Sequence, residues 1–167
     1  MKLRFLYSIL FACLFLGLTL VSETAYSQAP DSIIETETLA MLNAIDRAAR
    51  KGNVAGIIAP LAKDIKIKMT ISTPGSDKQQ VLNLSKDQYA FLTRRALQRR
   101  IGYQYDRKNT RIKIYSDNKT AMVTSDVYET LTVRQGTVRA ASSEVAIVSL
   151  RNGKPVITSL EARTRFY

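Results

Sequence analysis

Between residues 32 and 52 apolar side chains recur at helical spacing. Ile34, Met41, Ile45 and Ala48 share one side, Ser32 with Glu35 has the form of a capping box, and Gly52 supplies the stop. Asn53 caps a second, short helix that places Val54, Ile57, Ile58 and Leu61 on one side, with Pro60 limiting its length. The period then changes. In KDIKIKMTIS, residues 63–72, Ile65, Ile67, Met69 and Ile71 alternate with Lys66, Lys68 and Thr70, the pattern of a half-buried strand. TPGSDK reads as a turn and QQVLNL as a short strand. Ser85 and Gln88 form another capping box, opening a helix that runs to Gly102. Its apolar face is Tyr89, Leu92, Thr93, Ala96 and Leu97, while Arg94, Arg95 and Arg99 fan over the opposite side.

Beyond Gly102 the chain reads as strands over residues 101–116, 119–134, 137–151 and 154–167, separated by Asp117-Asn118, Gln135-Gly136 and Asn152-Gly153. Helices followed by an antiparallel meander define the α+β class. If each turn is a two-residue link, the register follows. Ser116 pairs with Lys119, Arg134 with Thr137 and Arg151 with Lys154. Val127, Glu144 and Glu161 then share one rung, Glu129, Ser142 and Arg163 the next, and Ser125, Ala146 and Ser159 the one on the other side. All point to the face that carries Ile112, Val123 and Val148, which the helices should cover. That face is apolar at one end and polar at the other, so Glu129, Ser142, Glu144, Glu161 and Arg163 are the candidate ligand-binding residues at the mouth of a pocket. A salt-bridged ladder at the rim accounts for the same residues equally well.

Charge and the N-terminal segment change the setting. Lys2 and Arg4 precede the apolar run FLYSILFACLFLGLTLV, and Ala25 and Ser27 fit a signal-peptidase site, so residues 1–27 are expected to be a signal peptide and 28–167 a single exported domain, periplasmic or secreted. An uncleaved membrane tether is the alternative. The lone cysteine, Cys13, lies inside this segment, which leaves the expected mature chain with no disulfide. Loss of Lys2, Arg4 and Glu23 takes the formal charge from +11 to +10, with 23 basic and 13 acidic residues. A basic exported chain meets lipid headgroups, wall polymers or acidic proteins more often than nucleic acid, so Arg94, Arg95 and Arg99 are a candidate anion-binding surface. Solvated cations favoured by the helix dipole explain them as well. Tyr103 and Tyr105 beside Arg107 and Lys108 would suit base stacking, yet tyrosines two apart on a strand are ordinarily sheet packing.

The stretch NAIDRAARKGNVAGIIAPLAKDIKIKM, a helix, a Gly-Asn junction, a short helix and an Asp-initiated strand, resembles the nuclear-transport-factor-two-like superfamily. That α+β cone is shared by ketosteroid isomerases, SnoaL-like cyclases and non-catalytic binding domains. The resemblance implies a curved sheet wrapped around N-terminal helices and a homodimer formed through the outer sheet face, here presenting Thr124, Tyr128, Val145, Ile147 and Leu160. It also argues against the best-known chemistry. The isomerase tyrosine position is Ile45 and the general-base position is Met69, neither able to move a proton. The chain has no histidine, which removes the Asp/His pairs of the cyclases and Ser-His-Asp catalysis. No phosphate-binding loop or dinucleotide fingerprint is present, and no metal or cofactor is implied. The leading expectation is a non-enzymatic domain that binds a small molecule or an envelope protein through the open end of the cone and a basic surface. The alternative is a pocket enzyme, an isomerase, dehydratase or hydrolase, using Glu144 or Glu161 as base and Arg163 as anion anchor.

Overall fold

The computed structural model describes residues 33–75 and 78–167. The expected signal segment with Cys13, the Ser32 cap, and Ser76 and Asp77 of the predicted turn lie outside the described residues. Helices α1 (Ile33–Lys51) and α2 (Val54–Ile58) lead into β1 (Leu61–Ser72) and β2 (Gln79–Leu84). Helix α3 (Lys86–Gln98) precedes the meander β3 (Gly102–Ile114), β4 (Thr120–Val133), β5 (Gly136–Arg151) and β6 (Lys154–Phe166). Leu61 begins β1 and does not extend the apolar side of α2, and α3 stops short of Gly102. The strands form one sheet in the order β2-β1-β6-β5-β4-β3. Periodicity alone does not contain the parallel pairing of β6 with β1, which fuses hairpin and meander. On the concave face, Met41, Leu42 and Ile45 of α1 pack against Ile65, Ile67, Val123, Val148 and Leu160.

Both ends of α3 are tied to neighbouring elements. Its capping box is present, Gln88 N–H donating to Ser85 Oγ (3.2 Å) and Ser85 N–H to Gln88 Oε1 (2.8 Å). The Lys86 ammonium donates to the Leu61 carbonyl. Just past the other end, Arg100 donates to the carbonyls of Lys51 (3.1 Å) and Gly52 (3.4 Å), so one arginine of the basic run caps the C-terminus of α1. Gly52 has φ 64°, and the Arg100 guanidinium occupies the space a β-carbon would need.

The strand registers depart from the two-residue links at three places. Gly136 has φ 142°, open in practice only to glycine, and it starts β5 opposite Val133; the β4–β5 turn is therefore Arg134-Gln135. Glu144 accordingly faces Ser125 and Glu129 faces Ala140, a slip that preserves which side each occupies. In β6 an extra residue, Thr158, is left over between the pairs Val148–Ile157 and Ile147–Ser159, and its hydroxyl donates to the Ile147 carbonyl (3.2 Å). This bulge reverses the alternation beyond it. Glu161 and Arg163 lie exposed on the outer face, Ser159 joins that face, and Leu160, Ala162 and Thr164 turn inward and are buried. The expected rungs joining Glu144 to Glu161 and Ser142 to Arg163 do not exist, and Leu160 is core, not outer face. A third irregularity falls in β3 between Lys108 and Arg111, where Asn109 has φ 52°.

Candidate functional site

The β3 bulge builds the site. Asparagine tolerates the left-handed conformation better than most residues, and the Asn109 amide donates to Asp126 Oδ2 (2.8 Å) while Ser143 donates to Asp126 Oδ1 (3.1 Å). These bonds hold the Asp126 carboxyl below its usual range, the Asn109 bond first. With the bulge in place, Tyr103, Tyr105 and Arg107 share the concave side with Val127 and Glu129; without it they would face outward.

Arg107 is then surrounded by acceptors. Its Nε donates to Asp46 Oδ1 of α1 (2.9 Å), Nη1 to Ser125 Oγ (2.6 Å) and to Glu144 Oε2 (3.1 Å), and Nη2 to the Tyr105 hydroxyl (2.7 Å). The Tyr105 hydroxyl in turn donates to Asp46 Oδ1 (3.1 Å). The guanidinium side chain is 10 % exposed, Asp46 13 % and Glu144 20 %, so the group is largely dry. Burial opposes the Arg107 charge, but Glu144 foremost and Asp46 with it outweigh burial and keep the cation. Burial raises the Glu144 carboxyl above its usual range, Arg107 pulling the other way and Glu129 adding to the rise. Nearer the open end, the Tyr103 hydroxyl donates to Glu129 Oε1. Burial raises the Tyr89, Tyr103 and Tyr105 phenols, which stay protonated donors at neutral pH.

This polar wall faces a cavity of about 390 Å³, within the size range of small-molecule sites. Its remaining lining is mostly apolar, with Leu42 and Ile45 from α1, Met69 and Ile71 from β1, and Val123 and Leu131 from β4. The face of α3 read from helical spacing, Tyr89, Leu92, Thr93, Ala96 and Leu97, forms part of the lining. Only Leu97 of that face is buried, and Leu92 is 42 % exposed; the helix covers a space and does not close a core. Ile45 and Met69, the positions of the isomerase tyrosine and base, line the cavity as hydrocarbon.

Of the ligand-binding residues expected from sequence, Glu129 and Glu144 line the cavity. Ser142 points inward but is 6 % exposed and bonded to Thr164 (2.9 Å). Glu161 and Arg163 lie on the other side of the sheet, so an enzyme pairing Glu144 with Arg163 has no shared site. Arg94, Arg95 and Arg99 are exposed, as expected of the outer side of α3. Asp46 and Arg107 were missed as site residues. Asp46 follows Ile45 on the same helical stripe as Leu42 and Ala49, and a carboxylate on an apolar stripe is a readable signal.

No family model matches the chain, and no curated protein does. Solved structures do. A putative scytalone dehydratase from Novosphingobium aromaticivorans superposes with a TM-score of 0.64 at 13 % identity, covering 79 % of this chain and 84 % of that one. A hexachlorocyclohexane dehydrochlorinase, LinA-type3, from Novosphingobium barchaimii gives 0.58 at 11 %, covering 78 % and 86 %. An NTF2-like protein of unknown function from Pseudomonas putida gives 0.55 at 13 %, covering 78 % and 85 %. The chain has the cystatin-like cone of the nuclear-transport-factor-two-like proteins. This cone is hollow, and its neighbours include enzymes as well as proteins without assigned activity, so the fold fixes the shape and leaves the role to the residues.

Proposed function

We propose that the protein is an exported, non-enzymatic binding domain whose cone holds one mostly apolar small molecule. The observation that carries this reading is the cavity itself: about 390 Å³, hydrocarbon over most of its wall, with Glu129, Glu144, Arg107 and tyrosine hydroxyls gathered on one side. The signal-like N-terminal segment supports the exported part of this reading. The polar groups favour binding over turnover. Arg107 is already engaged by Asp46, Ser125, Glu144 and Tyr105, which suits a rigid wall better than a group that must follow a reacting atom. An envelope partner would meet the basic exterior, where Arg94 and Arg95 on α3, Arg99 just past its end, and Arg163 and Arg165 on β6 are exposed. Copies of the chain would pair through the outer sheet face, where Tyr128 and Val145 are each 40 % exposed.

Native mass spectrometry of protein taken from its own envelope reads the oligomer and the retained ligand together. The expected result is a stoichiometric small-molecule adduct, lost in Ala96→Trp, which fills the cavity from α3. Absence of an adduct, together with failure of a neutral apolar dye such as Nile red to bind, would overturn the reading.

A further inference from the structure

The charge inside the cone is opposite in sign to the charge of the chain. Glu129 and Glu144 line the cavity with Arg107, the one cation among the described lining residues, and Asp46 of α1 pairs with Arg107 from behind, in a protein of formal charge +11. Arg107 is spent on its own neighbours: four of its five N–H groups are directed at Asp46, Ser125, Glu144 and Tyr105. It has little left to offer an anionic ligand. Glu129, two rungs nearer the open end, receives a proton donor from Tyr103 on one oxygen and is half-buried at the lining. Three tyrosine side chains, Tyr89, Tyr103 and Tyr105, line the same side. Carboxylate oxygens and aromatic rings around a hydrocarbon chamber are the surroundings in which organic ammonium groups are recognised, through charge pairing and attraction to the ring faces.

Resting on the cavity reading above, we propose that the ligand is an organic cation, an apolar molecule bearing an amine or quaternary ammonium, with its charge at Glu129 and the tyrosines and its hydrocarbon body against Leu42, Met69 and Leu92. The geometry disfavours fatty acids and other apolar anions, because the one guanidinium is closed off by carboxylates. It also separates the interior from the exterior: the basic surface repels the ligand at long range while the cone selects it at short range.

A matched series with one tail and three heads tests the proposal on the purified full chain: decyltrimethylammonium, decanol and decanoate, titrated by displacement of Nile red, the two ions below their micelle concentrations and the alcohol below its solubility limit. The expected order is ammonium tightest, by about tenfold over the alcohol, with the carboxylate weakest. Overall charge would produce the reverse order, so surface adsorption cannot imitate the result. Glu129→Gln is expected to abolish the preference, bringing the ratio of ammonium to alcohol affinity from about ten to about one. Equal binding of ammonium and alcohol, or tightest binding of decanoate, overturns the cation inference and leaves the cavity reading intact. Failure of all three to displace a bound dye overturns the cation inference alone, whereas failure of the dye itself to bind, with no adduct in native mass spectrometry, overturns the cavity reading and the inference with it. The wild-type series decides the matter even if the variant does not fold.

Discussion

Replacing Arg107 by methionine removes one cation from between two carboxylates and keeps most of the side-chain volume. The guanidinium is 10 % exposed and bridges Asp46 at 2.9 Å and Glu144 at 3.1 Å. Deleting one partner of a buried ion pair costs about 3–5 kcal/mol, chiefly because the other charge is left uncompensated. The lower end applies here, since Asp46 keeps the Tyr105 hydroxyl and the adjoining cavity admits water. A loss of about 3 kcal/mol is a large part of the 5–15 kcal/mol typical of a domain, yet leaves a folded protein to measure. Urea unfolding at about pH 8 and about pH 5 provides the assay. Glu144 already has its pKa raised in the folded state, and without Arg107 it rises further. Stability tied to such a group is greatest when it is protonated and is lost as pH rises through the folded value, so the deficit should be larger at the higher pH. The triple variant Asp46→Asn, Arg107→Met, Glu144→Gln should recover most of the loss, because it strands no charge. A deficit under about 1 kcal/mol, or one equal at both pH values, would show that Arg107 is solvated and that the dry cluster does not exist in solution.

In the wild type, comparison with Glu144→Gln isolates the same titration: the stability difference should move against the wild type as pH rises from 4.5, the ordinary value, through the raised folded value, and a flat difference in a pH series of melts refutes it. Thr38 is 0 % exposed on α1 with its hydroxyl unpartnered, so Thr38→Val should stabilise by about 1 kcal/mol in urea unfolding. Gly52→Ala should cost at least about 1–2 kcal/mol, from the left-handed backbone and the displaced Arg100, measured by the same unfolding curves. Asn109→Val should both destabilise and weaken dye binding, because the bulge it supports aims Arg107 and the tyrosines inward.

Hydrophobic periodicity together with caps and turn residues located the helices and strands among the described residues, and periodicity located the face of α3 that meets the cavity, because local sequence decides those features. Glu129 and Glu144 were legible as inward-facing, since the slipped β4–β5 turn moved the register by an even step. The parallel pairing of β1 with β6 was not legible, as no turn joins them. Glu161 and Arg163 were assigned to the wrong side because turn residues fix a register only as far as the next bulge.

That bulge was nevertheless written into the spacing. Ile157 and Leu160 are three apart, and a regular strand sends such residues to opposite faces; burying both requires one extra residue between them, which Thr158 supplies. Arg107 and Ile112 are five apart, and the same parity argument demands a break, which Asn109 provides. The consequence reaches the site's charge. The β6 bulge takes one cation and one anion, Arg163 and Glu161, out of the cone and substitutes Ala162 and Thr164. The β3 bulge turns Arg107 inward, and α1 meets it with Asp46. The β6 bulge removes one charge of each sign and the β3 bulge brings in a cation that Asp46 and Glu144 already engage, so the acid excess from which a cationic ligand is inferred survives both breaks in alternation and rests on Glu129, which neither bulge moves.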